Sequence, residues 1–171
     1  MTLTLNTDLP RRAVLIDLDN LLTIDRDTDR DVHFWADQTQ ALDRLSRAVE
    51  LAGHADFTLA VGGRWSWLAG WAALQALDVP GRMCAGKDSA EDELLEQARH
   101  LAQHGFDAVT VVSGDGAFAE LAETDGLRLT VVAPTWACTS RRLVSAAGSV
   151  QTVSGPRPGR TRRGGGRRGR C

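Results

Sequence analysis

The stretch VLIDLDNLLTID, residues 14–25, runs from three apolar residues into Asp17, with Asp19 two positions further on. A short apolar run bounded by polar residues reads as a strand buried on both faces of a parallel sheet. The acid that closes it leaves the chemistry open. D-x-D at a strand end can present a phosphatase nucleophile and its acid partner, or it can present ligands for a catalytic metal.

Working outward, FTLAV (57–61), AVTVV (108–112) and LRLTVV (127–132) repeat the buried-strand pattern, and RMCAG (82–86) suggests a fifth, shorter strand. Between them, residues 38–52, 67–77, 90–104 and 117–123 show helical spacing, with Leu42, Leu45 and Val49 on one face and Leu94, Leu95, Ala98 and Leu101 on another. Residues 140–147 suggest a last helix. Strands and helices in alternation define the α/β class with a parallel sheet. In such sheets ligands collect beyond the carboxyl ends of the strands, where the strand order reverses.

A chain of 171 residues is one ordinary domain with short extensions. We divide it into an N-terminal extension (1–12), a domain (13–153) and a tail (154–171). No apolar segment approaches the length of about 20 residues that a membrane span needs, and the N-terminus lacks the pattern of a secretory signal, so a cytoplasmic protein without membrane contact is expected. Cys84, Cys138 and Cys171 are scattered without C-x-x-C spacing. That argues against a disulfide framework or a zinc site and for reduced thiols. The net charge of −2 hides an asymmetry, because the tail GPRPGRTRRGGGRRGRC holds seven Arg and no acid. Rich in Gly and Arg and nearly without apolar groups, the tail is expected to be disordered, and a polybasic arm on an acidic body points to a nucleic-acid partner.

The candidate site residues follow from the strand ends. Asp17 closes the first strand, and Asp115 follows AVTVV in VVSGDGAF, so both are expected to project into one crevice although almost a hundred positions separate them. Asp115 also reads as a helix N-cap. In GKDSAEDELL, Asp88 and Asp92 are four apart on one helical face; Ser89 with Asp92 three residues later also resembles a capping box in an acidic form, and early acids complement the helix dipole. Two carboxylates about 5 Å apart repel by roughly 3 kcal/mol at an effective dielectric of about 20. Converging acids therefore need raised pKa values, basic neighbours or a cation, and an all-oxygen set prefers Mg2+ or Mn2+. His33, His54, His100 and His104 form no H-E-x-x-H pattern.

VLIDLDNL, RWSWLAGWAALQALDVP, GKDSAEDELLEQARHLAQHGFDAVTVVSGDGAFAELAE and TSRRLVSAA, in that order, resemble successive blocks of the NYN domain family of PIN-like nucleases. The resemblance implies a PIN-like three-layer α/β/α sandwich with a central parallel sheet, and metal-dependent ribonuclease activity. By motif position it assigns Asp17, Asp92 and Asp115 as catalytic metal ligands, with Asn20 and Ser113 as supporting polar groups; Asp88 stands nearby. Many members read S-G-D-x-D-F, and here Ala117 replaces the second acid. A catalytically weak or silent RNA-binding module on the same fold is therefore an alternative, with Asp19, Asp88 or Glu91 able to compensate in part.

A second alternative is a haloacid dehalogenase-like phosphatase, whose first motif also follows a strand with D-x-D. Leu21 and Ala119 stand where that family has Thr or Val and an acid, and Lys87 would be its phosphate-binding lysine. Under the ribonuclease reading the partner is RNA, single-stranded, with a homodimer left open. Lys87, Arg141 and Arg142 near the crevice, and Arg162, Arg163, Arg167 and Arg168 in the tail, are the candidate phosphate contacts. Trp65, Trp67 and Trp71 are candidate stacking residues, although the spacing of Trp67 and Trp71 beside Leu68 and Leu74 also suits a core face. The loop DRDTDRD (25–31) alternates acids but lacks the Gly and Glu of a calcium loop, so it reads as a solvated loop.

Overall fold

The computed structural model describes residues 10–27, 32–86 and 89–154. Lys87, Asp88, part of the DRDTDRD loop and the four tail arginines named above lie outside the described residues. In chain order the elements are β1 (Arg12–Asp17), α1 (Leu18–Leu22), β2 (Thr23–Asp27), β3 (Val32–Trp35), α2 (Gln38–Ala52), β4 (Phe57–Gly62), α3 (Arg64–Ala76), β5 (Gly81–Met83), α4 (Ser89–Gln103), β6 (Ala108–Val112), a 3₁₀ helix (Ala117–Glu123), β7 (Arg128–Ala133), α5 (Arg141–Ala146) and β8 (Ser149–Thr152).

Six strands form one sheet in the order β5-β4-β1-β6-β7-β8, while β2 and β3 make a separate antiparallel pair. Every pairing in the large sheet is parallel, with Leu15 opposite Leu59 on one side and Val111 on the other. The alternation of a strand splits its residues between two cores. Ala13 and Leu15 of β1 pack with α4, the 3₁₀ helix and Leu143 of α5. Val14 and Ile16 pack with α1, α2 and α3. The result is a three-layer α/β/α sandwich, the expected fold class.

The chain leaves β1 for β4 and β5 on one side, then returns through α4 to β6 on the other. The order therefore reverses between β1 and β6, the place where open α/β sheets form a crevice beyond the strands' carboxyl ends. This topology makes strand-end residues of β1 and β6 neighbours.

The local signals for α2 are complete. The Asp37 carboxylate accepts from the Gln40 N–H at 2.8 Å, and the Gln40 side chain accepts from the Asp37 N–H at 3.1 Å, a reciprocal capping box. Ala41, Leu45 and Ala48 face the sheet, whereas Leu42, expected on the core face, is exposed. Asp37→Ala is expected to lower stability by about 1 kcal/mol, measured by urea unfolding, with no change in slope.

Three expectations about elements need correction. The helix expected over 117–123 is a 3₁₀ helix, and part of the expected loop at 25–31 belongs to β2. On α3, Leu74 is buried, but Leu68 is 57 % and Trp71 48 % exposed. Helical spacing identifies a stripe, not which helix covers it, and α3 runs beside the sheet edge where only its Ala73–Leu74 side meets the core.

Candidate functional site

Asp17 ends β1 and caps α1, and only 5 % of it is exposed. Its Oδ1 accepts from the Asn20 N–H at 3.1 Å, and its Oδ2 accepts from the Ser113 hydroxyl at 2.9 Å. Ser113, fully buried, accepts in turn from the Asp115 N–H at 3.1 Å. The Asn20 side-chain oxygen accepts from the Gly114 N–H at 2.7 Å. Two hydrogen-bonded ties thus join the end of β1 to the loop after β6, across the switch point.

Gly114 is required by this closeness. A Cβ there would lie 2.7 Å from the Cys138 carbonyl oxygen and 3.3 Å from the Asn20 side-chain oxygen. The Gly114 carbonyl accepts from the Ser140 N–H at 2.8 Å, which seats the start of α5, with exposed Arg141 and Arg142, beside the same loop.

Burial pushes the Asp17 carboxyl up from 3.8 to about 7. The hydrogen bonds from Asn20 and Ser113 oppose that rise, and the negative charges of Asp19 and Asp115 add to it. Three acids therefore share one electrostatic neighbourhood. Asp19 is held differently: its carboxylate accepts from the Gly63 N–H at 3.1 Å and from the Ser66 hydroxyl at 2.6 Å, tying the first turn of α3 to the rim.

The expected trio of Asp17, Asp92 and Asp115 is brought together only in part. Asp115 is exposed, and its Oδ1 accepts from the Ala117 N–H at 2.9 Å, closing a turn ahead of the 3₁₀ helix; the N-cap position is Gly116, so the capping role expected as the alternative for Asp115 is not the one it takes. Asp92 is exposed on the first turn of α4. Among the described residues no three His, Cys, Asp or Glu side chains form a group that could hold a metal. Among the described residues there is thus no three-carboxylate cage; Asp92 is exposed while Asp17 is turned into the sheet end by Asn20 and Ser113.

The donor set nevertheless fits a magnesium-type ion of open coordination. Such an ion takes one or two carboxylates, keeps several waters and accepts substrate oxygens. Each Asp17 oxygen accepts one hydrogen bond, and a carboxylate oxygen offers two lone-pair sites, so one site on each remains. A buried carboxyl near pKa 7 beside two further acids gains from an added positive charge.

Ser66 was not found from sequence. A hydroxyl between two tryptophans in R-W-S-W carries no pattern that announces a buried partner for Asp19. Cys84 is free, as expected of reduced thiols. Its thiol is pushed up by burial, against a hydrogen bond with Ser89. Cys138 departs from that expectation, being disulfide-bonded.

Fold and site together define an α/β/α protein with an acidic crevice at the switch point of a parallel sheet. No protein-family model and no curated protein matches the chain. A solved structure of a protein of unknown function from Vibrio parahaemolyticus is similar, with a TM-score of 0.55 at 15 % identity, covering 86 % of this chain and 96 % of that one. At that identity the likeness concerns the fold alone. No helix among the described residues is long and apolar enough to cross a membrane.

Proposed function

We propose that the protein is a metal-dependent ribonuclease, acting on single-stranded RNA, with Asp17 and Asp115 as the residues that would hold Mg2+ or Mn2+. The observation that carries this reading is the buried Asp17 carboxylate at the switch point, clamped by Asn20 and Ser113 within reach of the charges of Asp19 and Asp115. A bound divalent ion would supply a water of lowered pKa and charge stabilisation for phosphodiester cleavage.

The chain's own residues position and polarise. Ser113 and Asn20 hold Asp17 in one rotamer and fix the loop that carries Asp115. Arg141 and Arg142, exposed where α5 starts beside that loop, are suited to hold backbone phosphates, and the Arg-rich tail would raise the local RNA concentration without reading sequence.

The reading is tested by cleavage of a labelled single-stranded RNA. Activity is expected with Mg2+ or Mn2+, to vanish in excess EDTA, and to fall by about tenfold or more in Asp115→Asn. Cleavage that persists in EDTA sinks the metal mechanism. A catalytically weak or silent RNA-binding module is the second reading, favoured by the exposed Asp92, the Ala117 position and the lack, among the described residues, of a three-acid group that could hold a metal. RNA binding without cleavage would select it. The phosphatase reading gains nothing from the site, since Leu21 and Ala119 are buried apolar residues in the core.

A further inference from the structure

Trp65 is 61 % exposed, the most exposed of the large apolar side chains among the described residues. Burial in the core does not explain it, yet its backbone is held firmly. It lies between Gly63 and Ser66, whose N–H and hydroxyl both bind the Asp19 carboxylate. The first turn of α3 is thereby anchored at the carboxyl end of β4, beside β1 and on the crevice side of the sheet. The Arg64 guanidinium stands over the indole, 5.2 Å from its centroid.

An open indole next to a guanidinium suits a particular kind of ligand. An unpaired nucleobase offers a flat face for the ring, and its flanking phosphate offers a negative charge for the arginine. A duplex offers the phosphate but keeps its base faces stacked internally. A protein partner would bury the apolar ring without needing the cation at its face.

We propose that Trp65, with Arg64, forms a stacking subsite for one unpaired base of single-stranded RNA at the edge of the Asp17 crevice. The subsite rests on the ribonuclease reading given above. In that role Trp65 is a positioning residue: it fixes the strand beside the acids and selects single strands over duplexes. The rigid anchoring by Asp19 matters because a pre-set ring loses little freedom when a base docks.

The experiment measures binding of the full chain, in Mg2+, to a phosphorothioate-linked single-stranded oligoribonucleotide of about eight nucleotides, which resists cleavage during the measurement. Trp65→Ala is expected to weaken binding by about 5- to 100-fold, and Trp65→Phe to retain affinity within about threefold. Replacing bases by abasic residues is expected to bring the full chain and Trp65→Ala to the same affinity. Affinity for a blunt duplex should not respond to either substitution. If the full chain binds RNA and Trp65→Ala binds equally well, the stacking subsite is overturned while the ribonuclease reading stands. An equal loss on duplex or abasic RNA also overturns it, because the effect would then not depend on a base. If the full chain binds no single-stranded RNA, the underlying reading fails and the subsite with it.

Discussion

Asp17→Asn is expected to abolish RNA cleavage, by about 1,000-fold or more, while making the protein more stable at pH 8. The activity loss follows from removing the charge that would hold the cation and polarise its water, a change in electrostatic stabilisation of several kcal/mol. The stability gain follows from burial. The folded carboxyl has a pKa near 7 against 3.8 for the free group, so the folded state holds the proton more tightly. Stability from this group is therefore fully present below pH 3.8 and is lost as pH rises to about 7, amounting to roughly 4 kcal/mol at 1.36 per pH unit. Asparagine has the same shape and no charge to desolvate, but its amide replaces an acceptor opposite Ser113, so about 2–4 kcal/mol of gain is expected at pH 8. In a chain of this size that raises Tm by about 5–15 °C. The advantage should shrink steadily as the pH falls towards 4. Millimolar Mg2+ or Mn2+ should stabilise the wild-type chain and leave the variant unchanged. Thermal unfolding across pH, with and without the ions, reads all of this. Equal Tm values at pH 8 would show that Asp17 carries no strained charge.

Gly114→Ala is expected to damage both stability and turnover. Its Cβ would meet a backbone carbonyl at 2.7 Å, that of Cys138, and a carbonyl cannot swing aside as a flexible side chain can. Such overpacking costs about 1–3 kcal/mol. The displaced groups are the ones that matter, because the Gly114 N–H holds Asn20 and the Gly114 carbonyl seats Ser140 at the start of α5. A shift of about 1 Å at a reacting centre lowers turnover about 100-fold. The loss should appear in kcat more than in KM, since Arg141 and Arg142, the proposed phosphate contacts, remain exposed. Unaltered kcat in a folded variant would show that the tie between β1 and the loop after β6 is not needed for positioning.

Much of this architecture is written locally. Apolar runs such as AVTVV mark β6 at its observed bounds, and the Leu94, Leu95, Ala98 and Leu101 stripe marks the buried face of α4. The strand-end placement of Asp17 and Asp115 follows from the same pattern, because alternation and turn residues act over a few positions. The expected helix over 38–52 is α2, since its cap and its apolar face lie within its own sequence.

What depends on distant partners was not readable there. Whether Leu68 and Trp71 are covered depends on α3 lying at the sheet edge, and the short β8 earns its place only by pairing with β7. The site divides in the same way. Residue types and strand ends by themselves placed Asp17 at the end of β1 and Asp115 in the loop after β6. Only the tertiary structure decided that Ser113 and Asn20 clamp the pair, that Asp19 is tied to Gly63 and Ser66, and that Asp92 stays in solvent. The reason is physical: a side chain's type and period are set by near neighbours, whereas its burial, its pKa and the reach of its hydrogen bonds are set by whatever the fold brings against it.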